Sequence, residues 1–280
     1  MPDAPGPTSP PAPPGGADAA EAALQRREER RRTAWRWLAI LAVHAGLVLA
    51  WQFGVRASGL PAVVLPAPTD IIVTLAKQNY AWADNTWVTA AEIVGGYLLA
   101  VVGGVVLALL FSWSRLLTVA VFPVLVTLNM VPKVALGPLV ITWFSYGLRT
   151  NMLITFSLCV FPILLTTLRG LREVEPDLLD LVRSLRGSRW AVFRTIQLPG
   201  SLPFILSGMK VGAVLAVAGA VVGEFIASDR GLAYLMIQVQ SSLDTPAMFM
   251  AVLLLTLLGM ALYLAVLLLE LALVPRDARR

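Results

Sequence analysis

The chain has 280 residues, of which 58% are hydrophobic and only 14% are charged, and its mean hydropathy is +0.76. A soluble domain carries roughly 25% charged residues, so this composition excludes an ordinary soluble protein and favours a chain that lies in lipid. The net charge of +5 comes from basic residues between apolar segments, which we interpret as topology signals rather than a nucleic-acid surface. One cysteine and one histidine exclude an internal disulfide, a cysteine metal cluster and a multi-histidine metal site, and no cofactor is expected.

The first segment, residues 1–33, is rich in Pro, Ala and Gly and then becomes basic. It buries too little apolar surface to offset the entropy of ordering, so we expect a disordered, basic cytoplasmic tail, with a short helical stretch from Glu21 to Arg36. The apolar run that follows is longer than a signal-peptide core and lacks a small-residue cleavage site. A cleavable signal peptide is therefore not expected.

Six apolar segments follow, each close to the roughly twenty residues that a spanning helix needs. The third contains Pro123, Pro132 and Pro138, which predict an interrupted helix. Arginines concentrate before the first span, in a long loop at 169–201 and in a tail at 275–280, so the positive-inside rule puts both termini in the cytoplasm. This gives a transmembrane domain over 34–274, whose predicted spans are 34–55, 88–111, 117–144, 152–168, 202–227 and 247–274.

The long loop is the most informative part of the sequence. Its pattern predicts two short amphipathic helices, the first broken at Gly187 and the second covering Arg189–Gln197 with Trp190 and Phe193 on one side. Apolar stripes on a cytoplasmic face must be buried against something. The membrane surface, the underside of the bundle and a groove on a partner protein are the alternatives, and physics alone does not choose among them.

This loop resembles the cytoplasmic coupling loop of ABC importer permeases, whose pattern is Glu-Ala-Ala, three residues, Gly, nine residues and Ile-x-Leu-Pro. Aligned at its Ile-x-Leu-Pro end, the pattern puts an acid, Asp180, at the Glu position. Two larger residues stand at the alanine positions, and the glycine position falls on Arg186 instead of Gly187. The resemblance assigns ATPase coupling to Asp177, Asp180, Leu181, Val182, Arg186, Gly187, Ile196, Leu198 and Pro199.

The resemblance extends from about Leu65 to Glu270. The stretches Val131–Leu139, Trp143–Gly147, Gly223–Phe225 and Asp229–Leu235 are similar to the nitrate, sulfonate and taurine branch of the family. It implies an all-α membrane protein, with about six transmembrane helices in a type I ABC importer permease bundle in the bacterial cytoplasmic (inner) membrane.

The chain has no Gly-x-x-x-x-Gly-Lys-Ser/Thr phosphate loop, so it is not expected to be an enzyme. The resemblance implies separate ABC ATPase subunits, a second, identical permease subunit and an extracytoplasmic solute-binding protein, with lipid around the bundle and no nucleic acid. Sulfonates, taurine, nitrate and pyrimidine- or riboflavin-type vitamin precursors all fit as solutes. The alternative is a secondary, ion-gradient-driven transporter, but the inverted repeats and intramembrane charges common in that class are not evident.

Polar and ionisable residues at membrane depth are the candidates for the translocation path. Lys133 follows Pro132 at the expected helix break, where its charge would attract an anionic solute or pair with an acid or a freed backbone carbonyl. Asn129 and Met130 precede the same break. Glu224 lies near the outer end of the fifth span, where a gate, a contact with the binding protein and simple interfacial exposure are all open. No catalytic residue is expected.

Overall fold

The computed structural model describes residues 16–173, 182, 184 and 188–274. Within these residues the regular structure is helical and contains no strand, which confirms the predicted all-α class. The chain divides into two compact units, residues 1–60 and residues 61–280. The α-helices are α1 Gly16–Ser58, α2 Pro68–Val73, α3 Trp82–Trp113, α4 Arg115–Ala120, α5 Phe122–Met130, α6 Gly137–Phe144, α7 Leu148–Arg172, α8 Arg189–Val192, α9 Leu198–Ala227, α10 Leu232–Ser241 and α11 Thr245–Leu273.

The first unit contains one long helix, α1, of 43 residues. Its part Ala34–Ser58 is long and apolar enough to cross a membrane. The helix begins at Gly16, within the segment for which the sequence predicts a disordered tail. Residues 17–25 are mostly Ala, Glu and Leu, which are strong helix formers, and this accounts for the early start. Residues 1–15 lie outside the described part of the chain.

The second unit contains four further helices with the length and composition of membrane spans, formed around α3, α7, α9 and α11. Together with α1 they match five of the six predicted spans. Most run a few residues beyond their predicted bounds, and α3, for example, covers Trp82–Trp113 where the prediction gave 88–111. Helix α9 ends at the predicted residue 227, and α11 ends one residue before its predicted end at 274. Hydropathy marks the apolar centre of a span, whereas the helix continues until a backbone break ends it.

The third predicted span is broken into α4, α5, a 3₁₀ turn at Lys133–Leu136 and α6, as its prolines predict. Pro123 and Pro138 lie in the first turns of α5 and α6, where a missing N–H leaves no hydrogen bond unmade. Pro132 has φ −63° and ψ 109° and separates α5 from the 3₁₀ turn. Within this segment, α4 and α5 together (Arg115–Met130) form an apolar helical stretch that is shorter than the candidate membrane spans.

Helix α7 is the centre of the second unit because it packs along both α3 and α9. Glycines permit this close approach. A Cβ atom at Gly96 or Gly104 of α3 would meet Thr155 or Ile163 of α7, and one at Gly219 would lie 2.7 Å from the Cα of Thr155. Small residues are expected where helices pack in a membrane, and the glycines of these spans serve that purpose here.

The connection between α2 and α3 is tied to the start of α11 by one carboxylate. Lys77 Nζ lies 3.0 Å from Asp244 Oδ2, and the Tyr80 hydroxyl donates to the same oxygen. Asp244 Oδ1 also accepts the N–H of Ala247 at 3.2 Å and so caps α11. Partial burial raises the pKa of Asp244, but the hydrogen bonds from Tyr80, Lys77 and Ala247 outweigh it, and the pKa lies below its ordinary value.

Gly219→Val is expected to destabilise the protein by about 1–3 kcal/mol, the usual cost of overpacking a core. The added side chain would force α9 away from the backbone of α7. Gly200→Ala is the matched control, because Gly200 lies on the same helix and its Cβ would meet nothing within 4 Å. Thermal unfolding in detergent measures both variants. An equal loss of melting temperature in the two would contradict the packing explanation.

Asp244→Asn tests the ionic tie, because asparagine still caps a helix but carries no charge. A carboxyl whose pKa is lowered by folding stabilises the folded state above its ordinary pKa of 3.8, and this is lost as the pH falls through the lowered value. Between pH 5 and 8 we expect a higher melting temperature for the wild type than for the variant. The difference in unfolding free energy should stay within about 1 kcal/mol, because the ion pair is partly exposed. The difference should shrink below pH 3.8, and one that persists in acid would contradict this account.

Candidate functional site

The segment Ser188–Pro199 holds the Ile-x-Leu-Pro end of the predicted coupling loop 169–201, of which residues 169–173, 182, 184 and 188–201 are described. The Ser188 hydroxyl accepts the N–H of Ala191 at 3.2 Å, and α8 covers Arg189–Val192. A π-helical turn, Phe193–Gln197, then joins α8 to α9. Val182, Ile196 and Leu198 are partly buried, and Pro199 is exposed. The other predicted coupling residues, Asp177, Asp180, Leu181, Arg186 and Gly187, lie outside the described residues.

The π-helical turn has a local cause in Pro199. The Leu198 N–H donates to the carbonyl of Phe193, five residues back. A proline has no N–H, and its ring clashes with the carbonyl four residues earlier in an α-helix, which here is that of Thr195. A wider turn immediately before Pro199 relieves that crowding. Single π turns inside helices often occur at functional sites.

Phe193 fixes this segment to the bundle. Its side chain is buried in a cluster to which α3 contributes Ala108 and Phe111 and α7 contributes Leu164, Leu168 and Leu171. The ring of Trp113 packs edge-on against it, with centroids 5.2 Å apart. Trp190 also packs against the Phe193 ring, in a tilted arrangement with centroids 5.4 Å apart, but it is itself 60% exposed. The apolar side of the segment is therefore divided: Phe193 packs on the underside of the bundle, and Trp190 is left uncovered.

The proline-interrupted segment carries three of the four predicted path residues. Lys133 Nζ donates to the backbone carbonyl of Asn129 at 2.6 Å and to its side-chain oxygen at 2.9 Å. The lysine thus covers the carbonyl end of α5, which is one of the three alternatives that its sequence position predicts. Met130 is 75% exposed on the same turn. These three residues stand together where the helix stops.

Glu224, the fourth predicted path residue, lies elsewhere. It is 1% exposed, so it is neither interfacial nor accessible in this structure. Its carboxyl accepts the Thr89 hydroxyl at 2.5 Å and the N–H groups of Ala233 and Tyr234 at 2.7 and 3.1 Å. The described hydrogen bonds do not join it to Asn129, Met130 or Lys133. It connects α3 and α9 to the first turn of α10.

Glu92 lies one turn from Thr89 on α3 and is 0% exposed. Its Oε1 accepts the amide N–H of Asn151 on α7 at 2.7 Å. Glu92 and Glu224 lie close enough to act on each other electrostatically. Of these four residues the sequence singled out Glu224 as a path candidate. It gave no signal that brings Thr89, Glu92 and Asn151 together with it.

Residues 96–276, well over half of the chain, match the family described as "Binding-protein-dependent transport system inner membrane component". The chain belongs to this family. Two similar relatives are the riboflavin transport system permease protein RibX of Chloroflexus aurantiacus and the formylaminopyrimidine transport permease protein ThiX of Halalkalibacterium halodurans. RibX is 33% identical over 83% of this chain and 87% of its own length. ThiX is 31% identical over 82% of this chain and 92% of its own length.

The fold is also that of a solved transporter. A chain of the MetNI methionine ABC transporter, in an inward facing conformation, superimposes with a TM-score of 0.60 at 17% identity. The match covers 68% of this chain and 95% of that chain. The resemblance read from the loop and the third span is thus confirmed at the level of family and fold: a multi-pass permease of the ABC importer type.

Proposed function

We propose that this chain forms the solute path of an ABC importer and couples that path to ATPase subunits encoded separately. The observation that carries the proposal is the division of the aromatic pair: Phe193 is buried in a core shared by α3 and α7, whereas its neighbour Trp190 is exposed. A partner that holds Trp190 would move the segment, and the segment would move both helices with it.

The ATPase is the partner proposed for this face. The family description names a binding-protein-dependent transport system, and the related solved chain comes from an ABC transporter. The sequence itself has no phosphate loop with which to bind ATP. We therefore propose that ATP-driven closure of two ATPase subunits pushes on the loop 169–201, with the predicted coupling residues from Asp177 to Pro199 at the contact. Both chain termini would lie on this cytoplasmic side.

The path is proposed to run beside Asn129, Met130 and Lys133. Backbone outside a regular α-helix is tolerated at membrane depth only where it is buried in protein or lines a water-filled cavity. The backbone break at Val131–Pro132 is therefore proposed to line the path, since Met130 next to it is left exposed in the single chain. A second copy of the chain is the proposed cover, with the solute passing between the two copies after delivery by an extracytoplasmic binding protein.

For the solute we propose a nitrogen heteroaromatic vitamin or vitamin precursor. Two relatives that are more than 30% identical over most of their length carry names of this kind, one for riboflavin and one for formylaminopyrimidine transport. This favours that class over the sulfonates, taurine and nitrate that the sequence also allowed. Binding of Lys133 to the carbonyl end of α5 weakens the argument for an anionic solute, because two of its three N–H donors are already used by Asn129.

Trp190→Ala is expected to weaken the ATPase contact by about 2 kcal/mol, roughly a thirtyfold loss of affinity, if Trp190 is an interface anchor. Its exposure means that the permease itself should lose no more than about 0.5 kcal/mol of stability. Trp87→Ala is the matched control. Trp87 is 74% exposed and lies near the start of α3, whereas the aromatic contact with Phe193 is made at its end, by Trp113. Titration of the purified permease with its ATPase measures the affinity. Equal affinities for the two variants would contradict the coupling assignment.

The solute proposal is tested with the complete transporter in proteoliposomes, with the binding protein on the outside and ATP inside. We expect ATP-dependent uptake of radiolabelled riboflavin or formylaminopyrimidine and none of taurine. Omission of the ATPase is the control for passive leak. Uptake of taurine, with neither heteroaromatic compound transported, would contradict the solute class while leaving the permease assignment intact.

A further inference from the structure

Glu92 and Glu224 form a buried acid pair whose charge the transport role does not explain. Both carboxyls lie within the membrane-spanning bundle, at 0% and 1% exposure. For residues 16–173 and 188–274 the structure gives neither acid an ion-pair partner, whereas Lys210, also in a span, pairs with Glu270 at 2.9 Å. Two adjacent, uncompensated negative charges in such a place would carry a large desolvation penalty.

The hydrogen bonds divide the pair into two unlike members. Glu224 accepts three donors: the Thr89 hydroxyl and two N–H groups from the first turn of α10. The N-terminus of a helix carries partial positive charge and free N–H groups, so it suits a carboxylate. Gly231, at φ +115°, leads into that turn, and a Cβ there would collide with the Glu224 carboxyl. The site is built around an acceptor-only group at this position.

Glu92 has the opposite environment. It accepts a single hydrogen bond, from Asn151, and its Oε2 atom is buried without a partner. Asn151 Oδ1 is also buried without a partner in the described structure. Both unpartnered atoms are acceptors if Glu92 is ionised, and a buried acceptor without a donor is costly. A hydrogen on Glu92 Oε2 turns one of them into a donor and removes a charge at the same time.

A cavity of about 270 Å³ lies beside the pair, and its lining includes Trp87, Ala91, Glu92 and Gly147. The charged groups in that wall are Asp229 and Arg230, which are exposed and opposite in sign. Their charges offset each other, so the cavity wall supplies no net positive charge to the buried pair.

We propose that the buried acid pair is a proton-binding site that holds one proton, carried by Glu92, while Glu224 remains a carboxylate that caps α10. The proton replaces the cation that a buried carboxyl otherwise needs. It lets α3, α7, α9 and α10 meet through polar groups at a depth where two charges would drive them apart.

Two isosteric substitutions in the full chain test the assignment. Glu92→Gln should be tolerated, with a melting temperature within about 2 °C of the wild type, because an amide reproduces the donor and acceptor of a neutral acid. Glu224→Gln should lower the melting temperature by about 4 °C or more, because its NH₂ group faces the donors that the carboxylate accepted. A Glu224→Gln variant that fails to fold would also support the proposal.

Infrared spectroscopy reports directly whether a carboxyl group is protonated, which stability measurements do not. Purified protein in lipid nanodiscs should show the C=O stretch of a protonated carboxyl, shifted in D₂O, and Glu92→Gln should remove it while Glu224→Gln keeps it. The proposal is overturned if the band persists in Glu92→Gln, if no such band exists in the wild type, or if Glu92→Gln is the more destabilising change. These measurements need no ATPase or solute, so they stand apart from the test of transport.

Discussion

The close contact of α7 with both α3 and α9 is the constraint on which the rest of the second unit depends. In lipid there is little hydrophobic force between helices, so association depends on packing that only small residues allow. Gly96 and Gly104 of α3 and Gly219 of α9 let the backbones of these two helices approach α7 closely. The buried cluster around Phe193 and the polar cluster of Glu92 and Glu224 are both built on these helices.

The two ends of this three-helix core carry opposite kinds of chemistry. At one end Phe193 and its aromatic neighbours make a dry contact between the π-helical turn and the helices α3 and α7. At the other end Thr89, Glu92, Asn151 and Glu224 make a wholly polar one. The same three closely packed helices carry both contacts, so the dry and the polar contact belong to one core.

The sequence predicted the all-α class, five of the six spans and the interrupted segment around Pro132, because each follows from local composition: apolar length for spans and proline positions for breaks. It also predicted the family from short patterns. It could not predict that Asn151 faces Glu92, because that contact joins residues 59 positions apart and depends on how α7 packs. The contact of Glu224 with α10 spans only 9 or 10 positions, but it depends on how the chain turns back at Gly231. The coupling roles of Asp180 and Arg186 remain predictions, since both lie outside the described residues.

The length of α1 has a mechanical consequence of its own. Its apolar part, Ala34–Ser58, takes about 38 Å at 1.5 Å per residue, more than the roughly 30 Å of a hydrocarbon core. The preceding turns, with Arg30, Arg31 and Arg32, must continue outside it. From residue 17 to residue 45 the sequence has neither glycine nor proline, the usual places for a kink. Attraction of these arginines to anionic headgroups would therefore tilt helix α1 as a rigid body and would not merely bend its N-terminal end.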